Sequence, residues 1–537
     1  MTDEGRTTSI AEMLDAARPR SDRRLESLTE RFTVRDLGGH VVGPMAGIEV
    51  RSVTADSRDV CEGSLFVAIP GDRADGHAFV PAAVRAGAAA VVVERPLPDI
   101  AVPQLVVNSS RRALAEGAAW WFDDPSRQLA VIGITGTDGK TTTSLLAAAA
   151  LESAGIPAGL IGTVATQVGG IHEMNLDHST TPEAPLLQRS LRAMVDAGDR
   201  AAILETTSHG LAMERVAAID YDAAILTNLT HEHLELHGSF EAYRAAKLSL
   251  FERLEVTSAH PAKTMVEWPR TGIINADDRS AAAFIEATRA ADARLLTYGA
   301  IPHADIRLTD VVDSSDGIHV AYELEGNGAV VRLRLTGHFN AHNALAVVAL
   351  GHAMNLDAEA VRIGLEGLTG VPGRMERVDR GQPFSVIVDY AHSPASLALV
   401  LDELGPMAVA RGGTLITVFG SAGERDRDKR PMMGRIAAQR CRIVIATDED
   451  PRGEDRNAIL ADIASGARDA TTQPEAFLQI ADRSEAIRAA LARARPGDIV
   501  VLAGKGHETS IEYADRQLAW NERSEAERAL EELGFRS

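Results

Sequence analysis

Lysine is nearly absent from this chain. Five of its 537 residues are lysine, and the other 50 of the 55 basic residues are arginine. A generic positive charge is therefore written as Arg, and a surviving lysine points to a need for a compact ammonium or a modifiable amine. Cysteine is scarcer still: two residues, Cys61 and Cys441, stand far apart, which excludes a disulfide framework or a cysteine metal site and suits a reducing cytosol. Positive charge is in deficit, with 76 acidic residues and a net charge of −21. That argues against nucleic acid or an anionic membrane as the main partner. No apolar run approaches the roughly 18 residues of a membrane span, and the polar first residues lack the apolar core of a signal peptide. The expectation is a cytoplasmic, acidic protein, long enough for about two to four domains.

What is present is α/β text. Residues 1–30 read as a variable extension, loose or helical. From Val50, short apolar runs (GSLFVAIPG, AAVVVE, QLVVN) alternate with Ala-rich helices such as Pro81–Ala86, the pattern of buried strands and crossover helices. After Asp123-Asp124-Pro125-Ser126, the run LAVIGITG opens a second unit at about Leu129. There AAILETTSHG, YDAAILTNLT and TGIINADD are apolar strands ending in polar residues. Such strands predict a parallel sheet that collects ligands at its carboxyl ends. Ala304–Leu335 reads as alternating antiparallel strands, GVPGRMERV as a linker, and the remainder as a third α/β unit. The predicted domains are 1–128, 129–370 and 371–537.

Four of the five lysines fall in chemically suggestive settings: Lys140 in GITGTDGKTTT, Lys247 in YRAAKLSLF, Lys429 in ERDRDKRP and Lys505 in AGKGHE. Lys263 alone does not. The first motif is a strand, a Gly-rich turn and a helix. Gly136 and Gly139 let main-chain N–H groups turn around a phosphate, Lys140 reaches the terminal phosphates, and Thr141 offers a hydroxyl to Mg²⁺. Ile134 stands where the common phosphate-loop pattern has its first glycine.

GITGTDGKTTT resembles the nucleotide loop of the Mur ligases, ATP-dependent amide-forming enzymes of peptidoglycan synthesis. VTADSRDVCEGSLFVAIPGDRADGHAF resembles the UDP-sugar region of the MurE type. STTPE, ETTSHGL, LTNLTHEHLELHGSFEAYRAAKLSLF, INADD, GHFNAHNALA, GVPGRMERV, VDYAHSP, FGSAGERDRDKRPMMG, DEDPRGED and GKGHE follow in order, so the likeness covers Val53 to Glu508. It implies a three-domain fold: an N-terminal UDP-sugar domain, a central P-loop-like ATPase domain and a C-terminal Rossmann-like domain. It further implies a monomer working on UDP-MurNAc-L-Ala-D-Glu, ATP and a diamino acid.

The resemblance also assigns residues. Gly136, Thr137, Asp138, Gly139, Lys140, Thr141 and Thr142, with Asn275, Asn343, Arg374 and Asp389, would bind ATP. Thr141, Glu205, His233 and Lys247 would serve the Mg²⁺ end of the site, Lys247 as a CO₂-derived carbamate that a guanidinium cannot form in this way. Lys140, Glu205, His233 and Lys247 would be catalytic. Ser57, Thr180, Thr181, Thr207 and Arg215 would hold the muramyl nucleotide. Arg425, Glu449, Asp450, Arg452, Gly504 and Glu508 would hold the amino acid.

This chain departs from the family pattern at Asp138, His231-Glu232, Ala395, Glu449-Asp450 and Met213. The changes at 449–450 bear on which amino acid is chosen. Arg452 favours meso-diaminopimelate, whose far carboxylate a guanidinium binds by two parallel hydrogen bonds; the preference is firmer if Asp450 pairs with Arg452. L-Lysine or L-ornithine is the alternative substrate. A P-loop nucleotide-binding regulatory protein is the alternative of another class. His233 and His237 lie at i,i+4, but with Glu235 between them the motif is not that of a zinc protease.

Overall fold

The computed structural model describes residues 9–19, 23–71, 74–175, 179–230, 237–257, 261–314, 317–470 and 476–536. The chain forms two compact units, one of residues 1–310, 321–330 and 342–365, the other of residues 311–320, 331–341 and 366–537. Among the described residues no helix is long and apolar enough to cross a membrane.

The first unit opens with a five-stranded sheet in the order His40–Val42, Gln104–Val106, Ala90–Val93, Ser64–Val67, Ser52–Thr54. Only its first pair is antiparallel. Of the two readings of residues 1–30, the described residues are largely helical. Helices Ile10–Ala16 and Leu25–Val34 bury Ile10, Leu25, Leu28 and Phe32 in the main core. Arg31 fixes the second helix by reaching Asp124 at 2.7 Å and the buried Glu116 at 2.8 Å.

Six parallel strands form the middle of the second sheet, in the order Arg294–Gly299, Thr271–Asn275, Ala223–Leu226, Ala130–Thr135, Ala201–Glu205, Ala158–Ile161. Ala130–Thr135, Ala201–Glu205 and Ala223–Leu226 are buried at every position. Strands covered on both faces read as unbroken apolar runs, without alternation. Chain order reverses around Ala130–Thr135, which has later strands on both sides, and ligands of open α/β sheets gather at such a switch point. The stretch read as alternating strands forms three, Ile306–Ser314, Gly317–Leu324 and Asn327–Leu333.

The second unit is built on a six-stranded sheet: Glu376–Val378, Ser385–Asp389, Ile499–Ala503, Leu415–Phe419, Ile443–Ala446, Phe477–Gln479. All but the first pair are parallel. GVPGRMERV, the segment read as a linker, is partly buried. Val371 and Met375 are buried, and a Cβ on Gly373 would lie 2.2 Å from the His507 nitrogen, so this segment packs into the second unit.

Lys263, the lysine outside any motif, is structural. It is buried and donates to the Leu129 and Asp220 carbonyls at 2.9 and 2.7 Å and to the buried Asp222 carboxylate. Lys263→Met should cost about 3–5 kcal/mol because it strands the Asp222 charge. Lys263→Met with Asp222→Leu should recover part of that. Urea unfolding measures both, and a single-variant loss below about 1 kcal/mol, the range of an exposed pair, would contradict this role.

Candidate active site

The loop after Ala130–Thr135 turns at Gly136 and Gly139, with φ of +154° and +83°. A Cβ there would stand 1.9 Å from Thr227 Oγ1 or 2.5 Å from Asn343 Oδ1, so both positions require glycine. Lys140 begins the helix Lys140–Ser153, whose free N–H groups and positive dipole end suit an anion. Its ammonium donates to the Gly136 and Thr137 carbonyls at 3.0 and 2.7 Å. Thr227 and Asn228, just past the neighbouring strand, hold the loop. Thr227 Oγ1 donates to the Asp138 carbonyl at 2.6 Å, and the Asp138 N–H donates to Asn228 Oδ1 at 3.0 Å. Thr142 is buried in the helix's first turn.

Lys247 reaches the same place from the helix Phe240–Glu252. It is buried, and it donates to the Gly136 carbonyl at 2.7 Å. One turn earlier, the Tyr243 ring lies 4.7 Å from the Lys247 ammonium, and the Tyr243 hydroxyl is 3.0 Å from Thr137 Oγ1. Sequence reasoning missed Tyr243, although its i,i+4 spacing from Lys247 was the available signal.

Glu205 ends its strand almost wholly buried. Thr141 Oγ1 donates to its Oε2 at 3.0 Å; Thr163 donates to Oε1 through its N–H at 3.1 Å and to Oε2 through its hydroxyl at 2.9 Å. A fixed carboxylate beside a hydroxyl fits Mg²⁺, which takes one or two carboxylates with phosphate oxygens and keeps several waters. His233 lies outside the described residues. Thr163 was missed because nothing in its local sequence marks it.

Thr180, Thr181, Thr207 and Arg215 cluster beside Glu205. Thr180 Oγ1 is 2.9 Å from Thr163 Oγ1, and Thr181 Oγ1 donates to the Glu205 carbonyl at 2.8 Å. The Thr207 hydroxyl is 3.0 Å from Thr181 Oγ1, and Arg215 donates to the Thr181 carbonyl at 2.8 Å while pairing with Glu183 at 2.6 Å. Ser57 is half-buried after the strand Ser52–Thr54 of the first sheet. Asn275 donates to the Thr227 carbonyl at 2.7 Å, and Asn343 Oδ1 accepts from Thr143 Oγ1 at 3.3 Å.

In the second unit, Asp389 ends its strand and accepts from the Met375 and Ala391 N–H groups, both at 2.8 Å. Arg374 lies over the Tyr390 ring at 4.8 Å, and the Tyr390 hydroxyl donates to Glu508 at 3.3 Å. Arg425 is exposed on the loop after Leu415–Phe419. Lys505 is buried and pairs with Asp450 at 2.8 Å and with Glu508. Burial pulls its ammonium down, but Glu508 and Asp450 more than offset that and hold it above the ordinary lysine value. Asp450 therefore pairs with Lys505, and not with Arg452 as the sequence argument allowed; Arg452 pairs instead with Glu512, at 2.9 Å. The buried Arg483 was missed as well. It donates to the carbonyls of Asp448 at 3.0 Å and Ala503 at 2.8 Å and pairs with the buried Glu522. One side chain thereby ties together the two strand ends that present Glu449 and Gly504.

Models described as Mur ligase family, catalytic domain; Mur ligase middle domain; and Mur ligase, glutamate ligase domain match residues 49–130, 134–351 and 373–506. A protein named UDP-N-acetylmuramyl-tripeptide synthetase, from Roseiflexus sp. (strain RS-1), is 46% identical over 92% of this chain and 96% of its own. The chain belongs to the Mur ligase family. A second relative, named UDP-N-acetylmuramoyl-L-alanyl-D-glutamate–2,6-diaminopimelate ligase, from Halalkalibacterium halodurans, is 39% identical over 90% of this chain and 95% of its own. A solved structure of a ligase of that name matches with a TM-score of 0.65 and 31% identity, covering 92% of this chain and 97% of the other. The three-domain α/β architecture of Mur ligases is thus the fold of this chain.

Within this Mur ligase, Glu449 is buried, and its Oε2 has no hydrogen-bond partner among the described residues. Burial raises its carboxyl above the usual range, against the pull of Lys429 and Lys505. A carboxyl raised by folding adds most stability below its unfolded pKa, and that contribution is lost as pH rises through the folded value. Glu449→Gln should therefore be more stable than the parent at neutral pH by about 1–3 kcal/mol. The advantage should shrink as pH falls toward about 4. Thermal melts across pH test this; an advantage independent of pH would contradict it.

Proposed function

We propose that the chain is an ATP-dependent ligase joining meso-diaminopimelate to the D-Glu γ-carboxylate of UDP-MurNAc-L-Ala-D-Glu in peptidoglycan synthesis. One observation carries this reading: Lys140, at the helix N-terminus after the glycine loop, and Lys247, from the helix Phe240–Glu252, donate to one carbonyl beside the Thr141–Glu205 pair. The family supplies the reaction class, and the names of relatives such as the Halalkalibacterium protein support the amino acid.

The chemistry starts from two anions. A carboxylate becomes electrophilic when it attacks the ATP γ-phosphorus, forming an acyl phosphate and releasing ADP. The incoming amine then displaces phosphate and leaves an amide. Residues 136–142 and the helix dipole would seat the triphosphate, and Lys140 would turn from its own loop carbonyls to the terminal phosphates. Thr141 and Glu205 would hold Mg²⁺, with His233 as a further candidate; the ion supplies charge neutralisation where phosphate and carboxylate meet. Asn275 and Asn343 in the first unit, and Arg374 and Asp389 in the second, are the further candidates for ATP binding. Ser57, Thr180, Thr181, Thr207 and Arg215 would take the muramyl nucleotide, whose diphosphate and carboxylates call for such donors.

In the second unit Glu449, Glu508 and the Gly504 main chain would receive the amino acid's ammonium groups. Arg452, and Arg425 on the loop whose Gly423 carbonyl Arg452 touches, would receive its carboxylates. Because Lys505 neutralises Asp450, that aspartate does not act as a free anion against the far carboxylate. This strengthens diaminopimelate over lysine or ornithine.

Lys247 as a carbamate gives the sharpest test. With ¹³C-bicarbonate, the native enzyme should show a carbamyl carbon signal that Lys247→Arg lacks. Lys247→Ala should lose ligation by 10²-fold or more, on the order of a lost electrostatic group in a buried site, and added formate or acetate should restore part of it. Near-native activity in the unrescued variant would refute the assignment. Lys140→Ala should fail earlier, at acyl-phosphate formation, by about 10²-fold or more; unchanged ATP turnover would contradict its role.

A further inference from the structure

Arg452 is held in an unusual way. Its φ is +53°, a left-handed backbone that L side chains other than Asn and Asp rarely adopt, and such a conformation persists only where its surroundings over-determine it. The surroundings here come from the strand Ser510–Glu512. The Arg452 N–H donates to the Glu512 carbonyl at 2.9 Å, and the Glu512 N–H donates to Asp450 Oδ1 at 3.0 Å. Asp450 is anchored in turn by Lys505. The Glu512 carboxylate then accepts from Arg452 Nε at 2.9 Å, while Arg452 Nη1 leans on the Gly423 carbonyl at 3.4 Å. A guanidinium carries five donors, so these two contacts leave room for a second carboxylate to bind by two parallel hydrogen bonds.

We propose that Glu512 is a positioning residue that sets amino-acid specificity by aiming Arg452 at the far carboxylate of the substrate; this rests on the reading of Arg452 given above. Two effects of Glu512 oppose each other. Its charge repels a ligand carboxylate, but the side chain is 42% exposed and that repulsion is screened by water and salt. Its hold on Nε is geometric, and truncation removes it entirely. Orientation therefore outweighs repulsion.

The test measures KM and kcat of the full-length enzyme with diaminopimelate and with lysine. Glu512→Ala should raise the diaminopimelate KM about tenfold, the effect of loosening one charge-assisted contact, with kcat and the lysine KM nearly unchanged. Glu512→Gln keeps an acceptor for Nε and should restore the diaminopimelate KM to within about twofold of the parent. Should the alanine variant fold poorly, Glu512→Ser repeats the truncation with a polar group. A lower diaminopimelate KM in the truncated enzyme, or equal rises for both amino acids, would overturn the proposal. Arg452→Ala separates the two claims: if it does not selectively impair diaminopimelate, the reading of Arg452 falls and Glu512 with it. If it does while Glu512→Ala changes nothing, only the Glu512 proposal falls.

Discussion

Two ammonium groups meet on a single carbonyl oxygen, that of Gly136, with Lys140 at 3.0 Å and Lys247 at 2.7 Å. The loop, the helix Phe240–Glu252 and the carboxyl ends of the central strands are all joined through this contact. Like charges drawn so close repel by several kcal/mol, on the order expected at an effective dielectric constant of about 20. A carbonyl dipole and the Tyr243 ring offset part of that. Such a meeting of cations suits an anion, which the Lys247 carbamate and the phosphates of ATP would supply under the proposed function. Only glycine can hold the loop in this shape, because Thr227 and Asn343 fill the space a side chain would need.

The second unit meets the opposite electrostatic problem. Its strand ends carry Glu449, Asp450 and Glu508 around one buried lysine, Lys505. Burying these carboxylates is costly, as the Glu449 carboxyl, raised chiefly by burial, indicates. Under the proposed function, the ammonium groups of an amino acid would relieve that cost, and Arg452 would add recognition of a carboxylate. The buried Arg483–Glu522 pair holds the two strand ends together from behind. Buried ion pairs of this kind are weak sources of stability and more plausible as sources of fixed geometry.

Much of this was legible in the sequence, and for physical reasons. Fully buried parallel strands read as apolar runs, so the sheets that carry the sites could be found without alignment. Gly136, Gly139, Lys140 and Thr141 stand out because a loop that seats phosphate, as proposed, would need those residue types next to one another. The scarcity of lysine marked the rest: Lys140 opens a helix at the loop, Lys247 reaches that loop from the helix Phe240–Glu252, Lys505 follows the strand Ile499–Ala503, and Lys429 donates to the His392 carbonyl at 2.9 Å. What could not be read was partnership across the fold. Arg452 meets Glu512 across 60 positions, and Arg483 meets Glu522 across 39; the neighbouring residues of each are ordinary surface text. The same blindness led the sequence argument to consider an Asp450–Arg452 pair, when Lys505 was the stronger claimant. GVPGRMERV carries a linker's Gly and Pro, and the burial of Val371 and Met375 was not legible because a buried turn carries the same residues as an exposed one.

The central claim is that ATP cleavage here is coupled to joining a diamino acid with two carboxylates to the muramyl dipeptide. The most direct measurement is phosphate release and product mass for the purified protein with ATP, Mg²⁺, UDP-MurNAc-L-Ala-D-Glu and, in separate reactions at equal concentration, meso-diaminopimelate, L-lysine or L-ornithine. The account predicts phosphate release that requires all substrates together, a tripeptide product, and a clear preference for diaminopimelate. ATP hydrolysis indifferent to the muramyl nucleotide, or a preference for lysine or ornithine, would contradict it.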